Sequence, residues 1–269
     1  MLAGLSPARR RVVLVLLTVV TVAVVALAVV LLLPGGSGRS GTAVSQDRPG
    51  PVLLVPGYGG STQSLQSLAD RLTAAGRDTT VVALPGNGTG DLRASADALA
   101  TTATAVLDRT GAQSVDVVGY SAGGLVARLW VADGGDDVVR RVITLGSPHH
   151  GTSLADLAGN VAPDQCPEGC QQMDPDSELL AQLNADDETP DGPTWVSIWT
   201  TQDETVTPPD SARLDGALNM TVQSVCANAR MSHGGLPQDP LVQAMVVTEL
   251  GAGDPVPLTS ADCARLGGS

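Results

Sequence analysis

The sequence predicts an α/β domain, a small and mostly parallel β-sheet with helices on both faces, preceded by one transmembrane helix. From residue 51 onward, short apolar segments alternate with segments of helical periodicity. The apolar segments lack the regular polar positions of a sheet with one solvated face, so both faces are expected to be covered. A separate, unbroken apolar run over residues 12–33 predicts the transmembrane helix.

The amino-terminal residues predict a single membrane anchor. The run at 12–33 contains only two polar residues, Thr18 and Thr21, and it would span about 33 Å as a helix, close to the hydrocarbon thickness of a bilayer. Three consecutive arginines precede it, so residues 1–11 are expected to be cytoplasmic and the rest of the chain exported. A cleaved signal peptide, which would give a secreted protein, is the alternative. The run is longer than the usual signal-peptide core, and no A-x-A-like cleavage site follows it.

Residues 34–50 are small, polar and rich in Pro and Gly, which predicts a flexible linker between the anchor and a domain at 51–269. The protein has 15 basic and 28 acidic residues and a net charge of −13. Five basic residues and one acid lie at or before residue 48, so residues 49–269 carry ten basic and 27 acidic residues, a net charge of −17. A body of this charge repels phosphate backbones, and we expect no nucleic-acid binding. The oligomeric state is left open.

Export predicts that the four cysteines form disulfides. Four cysteines allow three pairings. Cys166 and Cys170 close a short loop, and Cys226 and Cys263 lie on either side of the last helical segment, which favours a Cys166–Cys170 and a Cys226–Cys263 bridge. A zinc site at the C-x₃-C segment is the alternative, but two further ligands are missing nearby. No metal is expected.

The predicted strands and helices alternate along the first part of the domain. Strands are predicted at residues 51–57, 78–86, 115–120 and 138–148, and helices at 61–76, 91–111 and 122–133. Asp91 is placed to open the second helix and Gly111 to close it. Residues 150–193 are rich in Asp, Pro, Gly and Gln, which predicts an irregular, lid-like insertion. Strands at 194–200 and 219–225 and a helix at 236–251 complete the domain.

The segment Gly119-Tyr120-Ser121-Ala122-Gly123 lies between a predicted strand and a predicted helix. In this context G-x-S-x-G is typical of a nucleophile elbow, a tight turn that presents a serine at the carboxyl edge of a sheet. Gly119 and Gly123 would allow the close backbone approach that the turn requires. An ordinary glycine-rich turn is the alternative. The strand-turn-helix context favours Ser121 as a nucleophile.

A nucleophilic serine needs a base and a carboxylate that orients the base. The chain order serine, acid, histidine selects His233, because His149 and His150 come too early. Asp203 follows a predicted strand directly and is the expected acid. Its neighbour Glu204 is the alternative, since adjacent residues of an extended segment point in opposite directions and only one can face the histidine.

The tetrahedral intermediate of acyl transfer needs two backbone N–H donors. One is expected from Ala122, the residue after the nucleophile. The other is expected from Tyr58 in the segment Pro56-Gly57-Tyr58-Gly59-Gly60, which ends the first predicted strand. Taken alone, that segment would be interpreted as a plain turn. Together with the predicted elbow, it is interpreted as the second half of an oxyanion hole.

The segments LVPGYGGS, GYSAGG, TLGSPHHGT and a late SHGG together resemble bacterial secreted lipases and esterases of the α/β-hydrolase superfamily, particularly those of actinobacteria. The resemblance covers roughly residues 50–250. It implies an α/β-hydrolase fold with a minimal sheet, and it implies the following site residues: catalytic Ser121, Asp203 and His233, and oxyanion donors Tyr58 and Ala122. It also implies that the SPHHGT segment is structural. Pro56 departs from the family pattern, because many lipases carry histidine there.

These features predict a serine hydrolase that cleaves carboxylic esters, lipid esters above all, through an acyl-enzyme and without a cofactor. The expected location is the cell membrane, with the domain outside the cytoplasm. A thioesterase or an acyltransferase would use the same residues and is an alternative, as is an inactive hydrolase fold that serves as an anchored binding module. The sequence leaves the acyl-chain length open.

Overall fold

The computed structural model describes Thr21, residues 44–161 and residues 163–267. Two units follow each other along the chain, Met1–Thr42 and Ala43–Ser269, and every strand and helix named below belongs to the second. Apart from Thr21, the predicted anchor at 12–33 and the predicted cytoplasmic end at 1–11 lie outside the described residues. Among the residues that are described, no helix has both the length and the apolar character needed to cross a membrane.

A parallel β-sheet forms the centre of the domain. In the described part of the chain its six strands are β1 (Val52–Val55), β2 (Thr79–Val81), β3 (Val115–Tyr120), β4 (Val139–Leu145), β5 (Thr194–Trp199) and β6 (Leu218–Thr221). Their order across the sheet is β2-β1-β3-β4-β5-β6, and every neighbouring pair is parallel. The carboxyl ends of the strands therefore share one edge, which is where open parallel sheets bind their ligands.

Helices cover both faces of this sheet. Over the described residues the α-helices are α1 (Gln66–Ala74), α2 (Leu92–Thr110), α3 (Ala122–Trp130), α4 (Ser153–Val161), α5 (Glu168–Gln171), α6 (Glu178–Leu183), α7 (Val222–Val225) and α8 (Pro240–Glu249). Val52 and Leu54 of β1 pack in one apolar cluster with α1 and α8. Leu53 and Val55 pack in a second cluster with α2 and α3. Both sides of β1 are buried, which explains why the strand is apolar at every position.

The ends of α2 are where the sequence predicts them. The Asp91 carboxylate accepts a hydrogen bond from the backbone N–H of Arg93 (2.9 Å), which satisfies one of the free donors of the first turn. Gly111 closes the helix in the left-handed conformation, with φ 68°. The prediction for both residues is confirmed.

The last predicted strand is shorter than expected. β6 ends at Thr221, and residues 222–225, predicted as strand, form α7. The Thr221 hydroxyl accepts a hydrogen bond from the N–H of Ser224 (2.9 Å) and so caps this helix. The helix predicted at 122–133 is also shorter, because α3 ends at Trp130 and the backbone leaves the helical conformation at Asp133 and Gly134 (φ 101°).

The insertion at 150–193 is more regular than the composition predicts. It contains α4, α5 and α6, so the prediction of an irregular segment is wrong for these residues. A local cap explains one of the helices, since the Ser177 hydroxyl accepts a hydrogen bond from the N–H of Leu180 (3.3 Å) at the start of α6. The insertion begins immediately beside the loop that follows β5, where the Thr152 hydroxyl donates to the carbonyl oxygen of Thr205 (2.8 Å).

The prediction of a flexible linker at 34–50 is wrong for residues 44–50, because these residues belong to the folded domain. The guanidinium of Arg140 donates to the carbonyl oxygen of Gln46 (3.0 Å), and the side-chain amide of Gln46 donates back to the carbonyl oxygen of Arg140 (3.1 Å). Arg141 donates to the side-chain oxygen of Gln46 (3.2 Å). Both arginines are buried at the start of β4. Buried cations need acceptors, and Gln46 supplies part of that set.

Both predicted disulfides are present. Cys166 and Cys170 are bonded within the insertion, and Cys226 and Cys263 are bonded across 37 residues of chain. The second bridge holds the carboxyl-terminal segment against the end of α7. Because Cys166 and Cys170 are paired with each other, the alternative zinc site at this segment is wrong.

Candidate active site

Ser121 occupies a strained turn between β3 and α3. Its backbone has φ 53° and ψ −128°, and it is the one non-glycine residue with positive φ among the residues described. A backbone held in such a conformation costs of order 1–3 kcal/mol and is found most often at functional sites. The N–H of Ser121 donates to the carbonyl oxygen of Leu145 (2.8 Å), which fixes the turn against the end of β4.

Backbone packing around this turn leaves no space for side chains at its two glycines. A Cβ atom on Gly119 would lie 2.5 Å from the carbonyl oxygen of Gly123. A Cβ atom on Gly123 would lie 2.3 Å from the carbonyl oxygen of Val55. Both distances are far below van der Waals contact, so the close approach of β1, β3 and α3 requires glycine at both positions.

His233 and Asp203 form a buried pair at the same edge of the sheet. The Nδ1–H of His233 donates to Oδ2 of Asp203 (2.7 Å), and the two side chains are only 9% and 1% exposed. The other carboxylate oxygen accepts from the backbone N–H groups of Thr205 and Val206, each at 2.8 Å. These bonds fix the carboxylate and the imidazole, and they leave Nε2 as the basic nitrogen.

The structure distinguishes the two acids that the sequence left open. Asp203 is buried and pairs with His233, whereas Glu204 is exposed to solvent. Asp203 is therefore the acid that pairs with the histidine.

The loops that carry Asp203 and His233 are joined by two hydrogen bonds that the sequence does not predict. The Thr200 hydroxyl donates to the carbonyl oxygen of Met231 (3.1 Å), and the N–H of Met231 donates to the side-chain oxygen of Gln202 (3.0 Å). The partners are 31 and 29 residues apart in the chain. No periodicity or motif links positions at such separations, so this support of the pair is visible only in the structure.

Tyr120 and Gly146 bring the buried pair next to Ser121. The ring of Tyr120 lies 5.2 Å from the imidazole of His233, tilted by 33°, and its hydroxyl donates to the carbonyl oxygen of His233 (3.4 Å). Burial and the nearby charge of Asp203 raise the pKa of Tyr120 to about 12, so the phenol stays neutral. A Cβ atom on Gly146 would lie 3.3 Å from both Asp203 Oδ2 and His233 Nδ1. The sequence interpretation missed the roles of both residues.

Two backbone N–H groups near Ser121 are free to bind a ligand oxygen. Within the described chain, neither the N–H of Tyr58 nor that of Ala122 has a hydrogen-bond acceptor. Ala122 is the first residue of α3, whose first-turn donors have no partner inside the helix. The loop of Tyr58 touches the serine, since a Cβ atom on Gly57 would lie 2.9 Å from Ser121 Cβ. These are the two donors that the sequence predicts.

The side-chain oxygen of Ser121 makes no hydrogen bond to His233 among the described residues. The two groups nevertheless share one edge of the sheet, with the free donors beside them. Bonds between a nucleophile and its base are often long before a ligand binds and shorten afterwards. The arrangement supplies a hydroxyl, an oriented base and two donors for a developing oxyanion, which together suit acyl transfer. Over the described residues, no three His, Cys, Asp or Glu side chains are grouped to hold a metal ion.

His149 lies in a buried chain of hydrogen bonds away from the serine. The Ser197 hydroxyl donates to the carbonyl oxygen of Ala212 (2.6 Å), the Thr144 hydroxyl donates to Ser197 (3.1 Å), and His149 Nε2 lies 3.1 Å from the Thr144 oxygen. The carbonyl oxygen of Ala212 can only accept, so the Ser197 hydroxyl donates to it and the Thr144 hydroxyl donates to Ser197. The Thr144 oxygen is then an acceptor for His149, so Nε2 of His149 carries a proton. Burial lowers the pKa of His149 well below its usual value. A neutral, fully buried ring is a structural element, as the sequence resemblance implies.

The insertion is attached to α3 through a buried arginine. Arg128 donates to the carbonyl oxygens of Leu183 (2.9 Å) and Glu188 (3.1 Å) and to the side-chain oxygen of Asn184 (2.9 Å). Burial lowers the pKa of Arg128 to about 10, which still leaves the guanidinium charged near neutral pH. His150 pairs with the carboxylate of Glu188 (2.7 Å). Neither His149 nor His150 thus belongs to the serine site.

Comparisons with known proteins agree with this architecture. A family model described as alpha/beta hydrolase fold matches residues 50–165. Triacylglycerol lipases from Pseudarthrobacter phenanthrenivorans and Burkholderia plantarii are each 43% identical to the chain over 56 residues, which is 21% of this chain. The match covers 17% and 15% of those two proteins, so the chain aligns with less than a fifth of their length.

Solved structures extend the likeness over most of the domain. The crystal structure of Aspergillus fumigatus lipase B superposes with a TM-score of 0.67 at 21% identity, covering 80% of this chain and 56% of the lipase. Bacillus licheniformis lipase BlEst2 in its mature form gives a TM-score of 0.60 at 21% identity, covering 74% of this chain and 91% of the lipase. The domain therefore has the α/β-hydrolase fold.

Proposed function

We propose that this chain is a serine hydrolase that cleaves carboxylic esters through an acyl-enzyme. The observation that carries the proposal is the buried His233–Asp203 pair, joined at 2.7 Å beside the strained turn of Ser121. If residues 119–123 were an ordinary glycine-rich turn, a buried and oriented imidazole would not be expected beside them. The names of the relatives, triacylglycerol lipases and lipases, give independent support for ester hydrolysis.

In the first half of the reaction, Ser121 Oγ attacks the acyl carbon of the ester while His233 Nε2 takes the hydroxyl proton. The carbonyl oxygen becomes an oxyanion, which accepts hydrogen bonds from the N–H groups of Tyr58 and Ala122. Asp203 keeps the proton of the neutral imidazole on Nδ1 and stabilises the imidazolium as it forms. His233 then gives its proton to the departing alcohol oxygen, which leaves the acyl group on the serine.

In the second half, water enters and His233 takes one of its protons. The resulting hydroxide attacks the acyl carbon, the same two N–H groups bind the second oxyanion, and the proton returns to Ser121 as the carboxylic acid departs. Water, base and acyl carbon must lie within hydrogen-bonding reach of one another, which the fixed imidazole provides. The hydrolysis is complete without a redox step.

We further propose a lipid or small ester as substrate and a position outside the cytoplasm, either anchored by residues 12–33 or secreted after their removal, as in the secreted lipases of actinobacteria. The disulfide bridges support export, because such bonds persist in oxidising compartments. Retention of the full chain in membranes after an alkaline wash, compared with a chain that lacks residues 1–33, tests the anchor. Equal release of both chains would contradict it.

The insertion at 150–193 would then form a wall of the acyl-binding site. Two observations support this assignment: its first helix starts beside the loop that carries Asp203, and Leu154 of that helix is 46% exposed. We assign Leu154, which lies two residues after Thr152 and so close to the loop that carries Asp203, to contact with the acyl chain. Replacement of Leu154 by Ser is expected to raise KM for long-chain esters more than for short-chain esters. Equal KM changes would contradict the assignment.

The activity is tested with full-length protein in detergent, using p-nitrophenyl esters of short and long acids and a matched acyl thioester. The proposal expects ester hydrolysis that falls to background in the variant Ser121→Ala. Equal rates for the two proteins would contradict it. A kcat/KM far higher for the thioester than for the esters would replace ester hydrolysis with thioester hydrolysis as the main reaction.

A further inference from the structure

A second glycine-rich loop, residues 85–90, lies against the loop that carries Tyr58. We call residues 85–90 the buttress loop and residues 57–60 the oxyanion loop. The N–H of Gly59 donates to the carbonyl oxygen of Gly88 (3.1 Å). A Cβ atom on Gly88 would lie 2.6 Å from both N and Cα of Gly60. The two backbones are thus in direct contact, with no side chain between them.

The buttress loop is the main external backbone support of the oxyanion loop. Within the described chain, the backbone hydrogen bonds of residues 57–60 are the bond from Gly59 to Gly88 and an internal bond from Gly60 to the carbonyl oxygen of Gly57 (3.0 Å). The N–H of Tyr58 has no acceptor inside the described chain. The direction of the Tyr58 N–H therefore depends on the position of the oxyanion loop, and the hydrogen bond to Gly88 fixes that position.

The disulfide-closed segment of the insertion supports the buttress loop from its other side. The N–H of Gly169, between Cys166 and Cys170, donates to the carbonyl oxygen of Thr89 (3.1 Å). A Cβ atom on Gly169 would lie 2.5 Å from the carbonyl oxygen of Gly90. The buttress loop is therefore held between the oxyanion loop and the short disulfide loop.

We propose that Gly88 is a positioning residue for the oxyanion hole, and that the disulfide loop acts on catalysis through it. This inference rests on the proposed ester hydrolysis. An oxyanion donor must lie 2.7–3.1 Å from the transition-state oxygen to be effective, so displacement of the Tyr58 N–H weakens transition-state binding. The hydrogen bond from the Tyr58 N–H to the oxyanion forms in the transition state, and ground-state binding of the substrate does not depend on it. A displaced oxyanion loop therefore lowers kcat and leaves KM nearly unchanged.

The first test compares Gly88→Ala with Gly86→Ala. Both glycines have positive φ, 69° and 57°, so alanine introduces similar backbone strain at either position. Only a Cβ atom on Gly88 would clash with the oxyanion loop, because a Cβ atom on Gly86 would have no neighbour within 4 Å. We expect kcat for a p-nitrophenyl ester to fall about 10- to 100-fold in Gly88→Ala. We expect Gly86→Ala to keep the wild-type kcat and to lose less melting temperature than Gly88→Ala, because only Gly88→Ala adds a clash with the backbone of Gly60.

The second test displaces the buttress loop through its contact with Gly169, which has no positive φ, so alanine there adds no strain of that kind. Gly169 and Gly159 both lie in helices, and only Gly169 has a neighbour within 4 Å of a Cβ atom. Gly169→Ala is expected to lower kcat in the same way as Gly88→Ala, to a smaller extent, whereas Gly159→Ala retains it. An alkyl boronic acid, which places an oxyanion on the serine, should lose affinity in Gly88→Ala and Gly169→Ala and bind with wild-type affinity to Gly86→Ala and Gly159→Ala. This pair remains decisive where Gly88→Ala fails to fold.

Three outcomes are informative. A selective loss of kcat and boronate affinity in Gly88→Ala and Gly169→Ala supports the inference. Wild-type kcat in both of these variants, in folded and active protein, overturns the inference and leaves the proposed function intact. A wild-type protein that neither hydrolyses esters nor binds the boronate overturns the proposed function, and the positioning role falls with it.

Discussion

Replacement of Asp203 by Asn reverses one hydrogen bond at the centre of the site. Two backbone N–H groups, of Thr205 and Val206, donate to Oδ1 of the aspartate at 2.8 Å. In the variant these donors require the amide oxygen at the same place, so the amide NH₂ is turned toward His233. An NH₂ group donates only, and His233 Nδ1 must then accept. The ring proton moves to Nε2, and the base that should take the serine proton is lost.

The size of the effect follows from the cost of turning the amide around. If the amide oxygen faced His233 instead, two backbone N–H groups, a buried one at Val206 and a part-buried one at Thr205, would face a donor, at about 1–3 kcal/mol each. Even at the lower value, about 2 kcal/mol for the two groups together, only about 3% of the molecules have the productive tautomer. We therefore expect kcat/KM to fall at least about 30-fold, toward the roughly 10⁴-fold loss known for the same exchange in a serine-protease triad.

The assay is the initial rate of p-nitrophenyl butyrate hydrolysis, with melting temperatures recorded to show that the variant folds. Glu204→Gln is the matched control, because it removes the charge of the neighbouring, exposed residue. The control should stay within about 2-fold of wild type. Retention of more than about a tenth of wild-type kcat/KM by a folded Asp203→Asn protein, or a larger loss in Glu204→Gln, would refute this reasoning.

Three further predictions concern stability, pH and the base. Replacement of Cys226 and Cys263 by Ser opens a bridge across 37 residues, and the lost chain restriction of about 4 kcal/mol should lower the melting temperature by about 8–16 °C in calorimetry. His149 is neutral in the folded state, since burial lowers its pKa, whereas the unfolded chain binds a proton near pH 6.5. The free energy of unfolding should therefore fall between pH 7 and pH 5, by up to about 1.4 kcal/mol per pH unit, and His149→Gln should reduce this slope in urea titrations. Tyr120→Leu should lower kcat/KM about 2- to 5-fold by removing the aromatic face beside the imidazolium, whereas Tyr120→Phe should stay within about 2-fold.

Each of these predictions has a result that contradicts it. An unchanged melting temperature in the Cys226/Cys263 double variant would mean that the bridge does not restrict the unfolded chain. Equal pH slopes for wild type and His149→Gln would show that another group takes up the proton. Equal activity of the Leu and Phe variants of Tyr120 would remove the ring from the stabilisation of the base.

Local patterns in the sequence predict the parts of the fold that depend on local chemistry. β1 and β3 are apolar at nearly every position because both of their faces are buried, and this is visible in the sequence itself. The turn at Ser121 is equally local, since strand, serine and flanking glycines are contiguous. His233 and Asp203 could be selected because the chain order typical of the α/β-hydrolase fold restricts the choice among three histidines. The geometry then separates Asp203 from Glu204.

The features that the sequence did not predict depend on contacts between distant residues. The linker ends early because Gln46 pairs with a buried arginine 94 residues away. The support of the oxyanion loop by Gly88 depends on two glycine-rich turns that meet only after β1 and β2 pair. One exception is local: the strand predicted at 219–225 is shortened by a cap from Thr221 to Ser224, and helix formation competes with strand propensity over residues 222–225. Such competition is decided by tertiary packing rather than by composition.

The central claim is that Ser121 is the nucleophile activated by the His233–Asp203 pair. The most direct measurement is mass spectrometry of the oxidised, full-length protein after reaction with a fluorophosphonate. We expect one adduct, on the peptide that contains Ser121, absent in Ser121→Ala and formed much more slowly in His233→Ala. A folded wild-type protein without an adduct at Ser121, or one labelled equally fast in the absence of His233, would contradict it.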